Sequence, residues 1–439
     1  MESDSKPTLF FTLFETQLVR SYLESDKGAF FKSLSSKYNL VVVTSTSLFN
    51  HIATSMRILD VNASITSAAL RSFKEPLIAK IVGFYLRWND KSPTTRRKLR
   101  TEFTSNEKMR AKYSMRLILH YLLPTLPVVS KYLRRIYART IVITDLLPEI
   151  RNLNDYGVST VFISSLTNYW EDVPCGVYLK SLGCKTVGSV RSWDNLVSHG
   201  QLKFLPDHFL SHSRFMSDTA VKLQQISRSQ IIQWITPTYR AQFLLNRDLE
   251  ECAEKHVVYA CMGLSINPDD LNFVRRLIEL NQIFSPKINI TLLEHPKFKS
   301  SLDGVNLPTN FRRETFPYDC SSLMDYYKFL KSADLLICGG TTAALDGCFL
   351  GINVAIVGYE VSKQNYWMSG IRYLDMALHT SLFFKKAELQ IISDENELIT
   401  ILQNPEQVRN YRLGAVSEFT GDPDTDFLGI FMNSLENIH

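Results

Sequence analysis

Short apolar runs rich in Val, Ile and Phe recur along the chain, each followed by a polar stretch long enough for a helix. In the first half they are LFFTLF (9–14), LVVVTS (40–45), TIVITD (140–145), VSTVFISS (158–165), TVGSVRS (186–192), HFLSHS (208–213) and IIQWITP (231–237). In the second they are HVVYACM (256–262), INITLLEHP (288–296), DLLICGG (334–340) and VAIVGYE (354–360). Continuous apolar runs, rather than alternating ones, predict strands covered on both faces, as in parallel sheets with helices on each side. The series occurs twice, which predicts an α/β protein of two Rossmann-like, doubly wound domains facing each other across a cleft. Their boundary falls within residues 238–255, giving domains 1–245 and 246–439, with the last helices returning to the first. Ligands of such sheets sit outside the carboxyl ends of the strands. The residues that directly follow each run are therefore the ones to search for chemistry.

Composition narrows the class. With 439 residues, 45% hydrophobic and 21% charged, the chain can bury substantial cores. It opens MESDSKPTLF, acidic and polar with no basic and apolar leader, so a cytoplasmic location is expected. Seven cysteines (Cys175, Cys184, Cys252, Cys261, Cys320, Cys338, Cys348) are dispersed without the close paired spacing of a zinc site and read as reduced core thiols. The net charge is only +5, but Arg96 to Arg139 holds twelve Lys/Arg against Glu102 and Glu107. Within that block LILHYLLPTLPVVSKYL is too short and too broken by proline to span a bilayer. The block reads either as a solvated basic helix packing its apolar side on the domain or as a contact with an anionic membrane surface. No nucleic-acid-binding module is recognisable, so no nucleic-acid partner is expected.

Three strand ends carry candidate chemistry. In SADLLICGGTTAALDGCFLGINVAIVGYE (332–360) a strand ends in Gly339, Gly340, Thr341 and Thr342 before a helix. The glycines let a phosphate approach the backbone, and helix-start amides with threonine hydroxyls offer donors to an anion. The alternative is a tight turn with a threonine N-cap. Asp346, one turn into that helix, can accept bonds from ribose hydroxyls. In LLEHPKF (292–298), His295 stands where a ring can donate to a phosphate, while Glu294 would oppose that phosphate unless it pairs with a base such as Lys297. In SVRSWDNLVSHG (189–200), Trp193, Asp194, Asn195 and His199 cluster after a strand of the first half. Asp194 is either a base or nucleophile, or a helix N-cap. Trp193 is either a stacking face for a sugar or a core anchor, Asn195 can orient Asp194, and His199 can act on a donor phosphate or as acid or base. Arg20, after the first strand, has a fork suited to a phosphate but also suits a surface helix. Asp145, ending another run, is a secondary acceptor-site residue.

These stretches resemble the GT-B glycosyltransferases of bacterial surface-polysaccharide synthesis that carry a SWDN motif. LVRSYLESDKGAFFKSLSSKYNLVVVTS (18–45) looks like their first strand–loop–helix unit, and SVRSWDNLVSHGQLKFLPDHFLSHSRFMSDTAV (189–221) is close to their signature. LLEHP is similar to their RxHP, and SADLLICGGTTAALDGC to their ADVVI followed by STxxLEA. The resemblance implies transfer of a sugar from an activated donor to a glycan or lipid-linked acceptor at the inner membrane face, with no metal and no cofactor. It also implies that Arg20, His295, Gly339 to Thr342 and Asp346 serve the donor, while Trp193, Asp194, Asn195, His199 and Asp145 serve the acceptor side. Two positions depart from the pattern: Asp346 replaces a longer glutamate, and Glu294 replaces an arginine. Both lie on the donor side, which keeps a Kdo cytidylate or phosphoribosyl diphosphate open as donor. A nucleotide-sugar epimerase on the same fold and a non-catalytic sugar- or lipid-binding protein are the alternatives.

Overall fold

The computed structural model describes residues 6–67, 76–88, 92–94, 114, 118, 127–143, 160–235, 239, 256–262, 267, 269–284, 288–295, 302, 304–316, 323–362, 378–408, 411–422 and 425–436. The chain divides into two compact units, one holding the strands before Arg240 together with Glu418–His439, the other holding Arg240–Ser417.

The first unit is built on a seven-stranded parallel sheet. Its strands are β1 (Thr8–Thr12), β2 (Asn39–Thr44), β3 (Ser64–Ser67), β4 (Thr160–Ile163), β5 (Lys185–Gly188), β6 (His208–Ser211) and β7 (Ile231–Gln233), in the order β3-β2-β1-β4-β5-β6-β7. Leu9 lies opposite Leu40 on one side and Thr160 on the other, so β1 and β4 are the central pair. Their apolar runs are buried on both faces, and the Phe11 ring is met by Phe162 at 4.7 Å, Phe31 at 5.0 Å and Tyr22 at 5.3 Å. The C-terminal helix Phe427–Glu436 completes this core: Phe431 lies 5.1 Å from both Phe30 and Phe162 and 5.4 Å from Trp234.

The second unit carries β8 (His256–Ala260), β9 (Asn289–Glu294), β10 (Phe311–Thr315), β11 (Leu335–Cys338), β12 (Asn353–Val357) and β13 (Gln390–Ile392), ordered β10-β9-β8-β11-β12-β13 and all parallel. Val257, Leu292, Ile337, Ala355 and Leu277 form part of its core. The doubly wound, two-domain α/β architecture expected from the apolar runs is the one observed.

Two expectations are corrected. The described part of the run at 140–145 is not a strand: Thr140–Ile143 ends the helix Pro127–Ile143. Ser130, Arg134, Tyr137 and Ile141 are buried along that helix at a spacing of three to four, and this longer period overrides the β-branched character of its last turn. Arg134, counted with the basic block, is not a surface cation. Its guanidinium is buried, donating from Nε to the Leu202 carbonyl at 2.8 Å and from Nη2 to the Gln224 carbonyl at 3.2 Å, and burial pulls its pKa down to about 10. The Lys/Arg residues of the block from Arg96 to Arg116 lie outside the described residues. No helix among the described residues is long and apolar enough to cross a membrane.

Phe431 tests the contribution of the C-terminal helix. Phe431→Ala removes a fully buried ring and should cost about 3–5 kcal/mol, read as a lowered urea midpoint for the first unit. An unchanged midpoint would remove the helix from that core.

Candidate functional site

In each sheet the strand order reverses at one pair, β1/β4 in the first unit and β8/β11 in the second. Connections on the two sides of such a pair leave toward opposite faces, opening a crevice at the carboxyl ends. Both crevices hold buried polar groups.

In the first unit Thr12 ends β1, Ser164 follows β4, and Asp172 opens the helix Asp172–Ser181. The fully buried Asp172 carboxylate accepts from Thr12 Oγ1, from Ser164 Oγ at 3.1 Å and from Asn168 Nδ2 at 2.9 Å, while the Ser164 amide donates to Thr12 Oγ1 at 3.1 Å. Burial pushes the Asp172 carboxyl up to about 8, the hydrogen bonds of Thr12, Ser164 and Asn168 hold it back, and the charge of Glu15 adds to the rise. Glu15 itself, just past β1, pairs with Arg191 at 2.5 Å.

The loop after β5 holds both buried and half-buried candidates. Ser189 Oγ donates to the Leu210 carbonyl at 2.9 Å and lies 2.9 Å from His212 Nε2, whose burial holds the ring's pKa down to about 3 and leaves it neutral. Trp193 is only 1% exposed, edge-on to Phe419 at 5.8 Å and tilted on Phe215 at 6.0 Å. A sugar-stacking role for Trp193 is therefore corrected: the ring is buried among aromatic side chains and is a core anchor. Asn195 is buried, and its Oδ1 accepts from the Ser192 amide at 3.0 Å and from Thr167 Oγ1 at 3.5 Å, stapling this loop to the one after β4. Asp194 is half-buried at the start of the short helix Asn195–Ser198, but its side chain makes no capping bond to that helix. Its carboxylate instead accepts from Ser198 Oγ at 3.0 Å and Asn195 Nδ2 at 3.4 Å. His199 is half-buried at the end of the same turn. Arg20 is buried in the π-helical turn Arg20–Glu24 rather than lying on an exposed helix face. Asp145 lies outside the described residues.

In the second unit β11 runs into Gly339, Gly340 and Thr341, and the helix Thr342–Phe349 follows. Gly339 sits in close quarters: a Cβ there would lie 2.3 Å from Met262 Sδ, after β8, so that side chain would have to move. Thr341 holds the N-cap position in extended backbone; its side chain makes no cap hydrogen bond, while its carbonyl accepts from the Ala344 amide at 3.2 Å. Asp346 Oδ2 accepts from Tyr326 Oη at 3.1 Å. His295 is half-buried directly after β9. Glu294, expected to oppose a phosphate, is paired with Arg313 on the adjacent strand β10; Lys297 lies outside the described residues. Cys338 and Cys348 are buried free thiols, Cys338 pushed up to about 12 by burial and by Asp346, and Cys175, Cys184 and Cys261 are likewise free and buried.

Two buried carboxylates of this crevice escaped the reading of the sequence. Asp270 accepts from Tyr259 Oη at 2.6 Å and from the Met262 amide at 3.3 Å. Asp269 accepts from the amides of Val361 at 2.7 Å and Ser362 at 3.2 Å, tying the loop after β12 to the start of the helix Asp270–Ile283. Asp269, Asn267, Tyr259, Tyr359 and Gly339 line one recess. The only signal for this pair was NPDD (267–270), which reads as an ordinary acidic helix start.

No family model matches the sequence, and no curated protein matches it. Solved structures do. The UDP-GlcNAc 2-epimerase of Methanocaldococcus jannaschii is 9% identical, with a TM-score of 0.53, over 98% of this chain and 100% of that one. The UDP-GlcNAc 2-epimerase of Neisseria meningitidis bound to UDP-GlcNAc is 8% identical, with a TM-score of 0.51, over 98% and 100%. The wall teichoic acid polymerase TagF is 11% identical, with a TM-score of 0.48, over 100% and 92%. The fold is of the GT-B type. At such low identities the likeness to the two epimerases shows the fold alone and leaves the reaction to the residues.

The raised Asp172 gives the GT-B chain a pH dependence of known sign. Between an unfolded value near 4 and a folded value of about 8, the native state keeps a proton that the unfolded state loses, so this group's contribution to stability falls as pH rises through that window. Asp172→Asn should therefore gain on the wild type from pH 4.5 to pH 8, by at most about 1.4 kcal/mol per pH unit. Urea midpoints of both proteins check this; a pH-independent difference would contradict it.

Proposed function

We propose that this chain is a glycosyltransferase, similar to the SWDN enzymes of bacterial surface-polysaccharide synthesis. It moves a sugar from a nucleotide- or diphosphate-activated donor to a lipid-linked or oligosaccharide acceptor. The observation that carries the reading is the use of Asp194. Its carboxylate stands at the carboxyl end of the first unit's sheet, is not spent on capping, and is held by Ser198 and Asn195.

In this reading Asp194 takes the proton of the acceptor hydroxyl in an inverting transfer, or attacks the sugar in a retaining one. Asn195 fixes the loop and the carboxylate together, and His199 assists proton transfer. In the second unit the opening amides of the helix Thr342–Phe349, with Thr341, Thr342 and His295, stabilise the leaving diphosphate. The pairing of Glu294 with Arg313 removes its objection to a phosphate there. Asp346, shorter than glutamate and already bonded to Tyr326, suits a lighter grip on the donor ribose, which favours testing CMP-Kdo and phosphoribosyl diphosphate beside ordinary nucleotide-sugars.

The test is a donor screen by mass spectrometry over those donors, with and without oligosaccharide or lipid-linked acceptors, followed by Asp194→Asn. Transfer should require an acceptor; release of free sugar and nucleotide without one would point to an epimerase. Asp194→Asn keeps the shape, and Ser198 Oγ can turn to accept from the new amide, so the melt should hold. Turnover should fall by about two to four orders of magnitude. Near-wild-type turnover would overturn the assignment.

A further inference from the structure

Five of the ten large apolar side chains exposed among the described residues lie on two helices that pack together, Leu77–Trp88 and Pro127–Ile143. On the first, Leu77 is 72% exposed and Ile81 60%, with Ile78 beside them; on the second, Val128 is 80% exposed and Tyr132 63%. These residues recur at helical spacing, so each helix presents an apolar outer stripe as well as the inner one it packs on the unit. The same helices carry exposed cations, Lys80 on the first and Lys131, Arg135 and Arg139 on the second, and neither helix contains an acid.

We propose that the outer face of these two helices docks on the surface of an anionic lipid bilayer. Apolar side chains exposed to this degree are unfavourable in water and gain by entering the acyl boundary, while flanking cations with no acid among them meet anionic headgroups. Tyr132, with an apolar ring and a polar tip, suits the interface between the two. A protein partner would need acids placed opposite each cation, whereas a bilayer supplies them at any position, which suits cations spread over two helices.

The same helices hold the segment that follows the candidate loop. The Gln201 amide donates to the Leu86 carbonyl at 3.1 Å, Ser130 Oγ to Gln201 Oε1 at 3.0 Å, and Arg134 Nε to the Leu202 carbonyl at 2.8 Å. Docking would thus fix the loop carrying Asp194 near the lipid surface. That last step rests on the transferase reading, where a lipid-linked acceptor would be presented to it; the docking itself does not.

Vesicle flotation of the full chain tests the docking without turnover, using phosphatidylcholine vesicles with and without roughly 30% phosphatidylglycerol. The wild type should float with the anionic vesicles and lose most of that binding in high salt. Ile78→Ser/Ile81→Ser and Lys131→Glu/Arg135→Glu should each reduce the floated fraction about ten-fold with unchanged melts. All four substitutions fall on exposed positions, so misfolding is not expected, and the melt would report it. A wild type that ignores anionic vesicles, or variants that float as well as it does, would overturn the proposal. So would a wild-type dimer that dissociates in Ile78→Ser/Ile81→Ser by sedimentation, since that assigns the face to a second copy of the chain.

Discussion

The reversal of strand order at one central pair in each sheet is the constraint on which the rest depends. Right-handed crossovers force the helices on either side of β1/β4 and of β8/β11 to opposite faces of the sheet. The carboxyl ends of those strands are left open at that point. Every loop that carries a candidate group starts there or on a neighbouring strand, and the buried polar groups of each unit have to be satisfied within it.

The two crevices meet that demand in different ways. The first unit buries Asp172 among two hydroxyls and an amide, at the cost of a proton held to unusually high pH. The second uses Asp269 and Asp270 as acceptors for loop amides and a tyrosine hydroxyl at the start of one helix, where the helix dipole favours negative charge. In the loop after β5, Trp193 and Asn195 are buried and Asn195 accepts from the Ser192 amide, while Asp194 between them is half-buried. Three adjacent residues that look alike as candidates thus separate into two that are buried in the loop and one that is only half-buried.

The central strands were legible because burial on both faces leaves a continuous apolar run. The edge strands β3, β10 and β13 were not, since a strand at the rim keeps polar residues: in FRRET only Phe311 is buried. The run at 140–145 misled because five β-branched residues outweighed a helical period that only becomes visible from Ser130 onward. In the sites, the glycine–threonine turn and the RSWDN loop were recognisable as local motifs. The partner of Glu294 was not, because Arg313 reaches it only through the register of β9 on β10. Nor were Asp172, Asp269 and Asp270, since an aspartate at a helix start looks the same in sequence whether it caps in solvent or serves a buried network.

On the proposed reading, the turn Gly339–Thr342 and the opening amides of its helix receive the diphosphate of an activated donor. Hydrogen–deuterium exchange over residues 338–345, with UDP, CDP, CMP and inorganic diphosphate added in turn and then with any donor that turns over, measures those amides directly. Slowed exchange in this segment is expected with at least one diphosphate and with the working donor. A donor that is consumed while exchange there stays unchanged would contradict it.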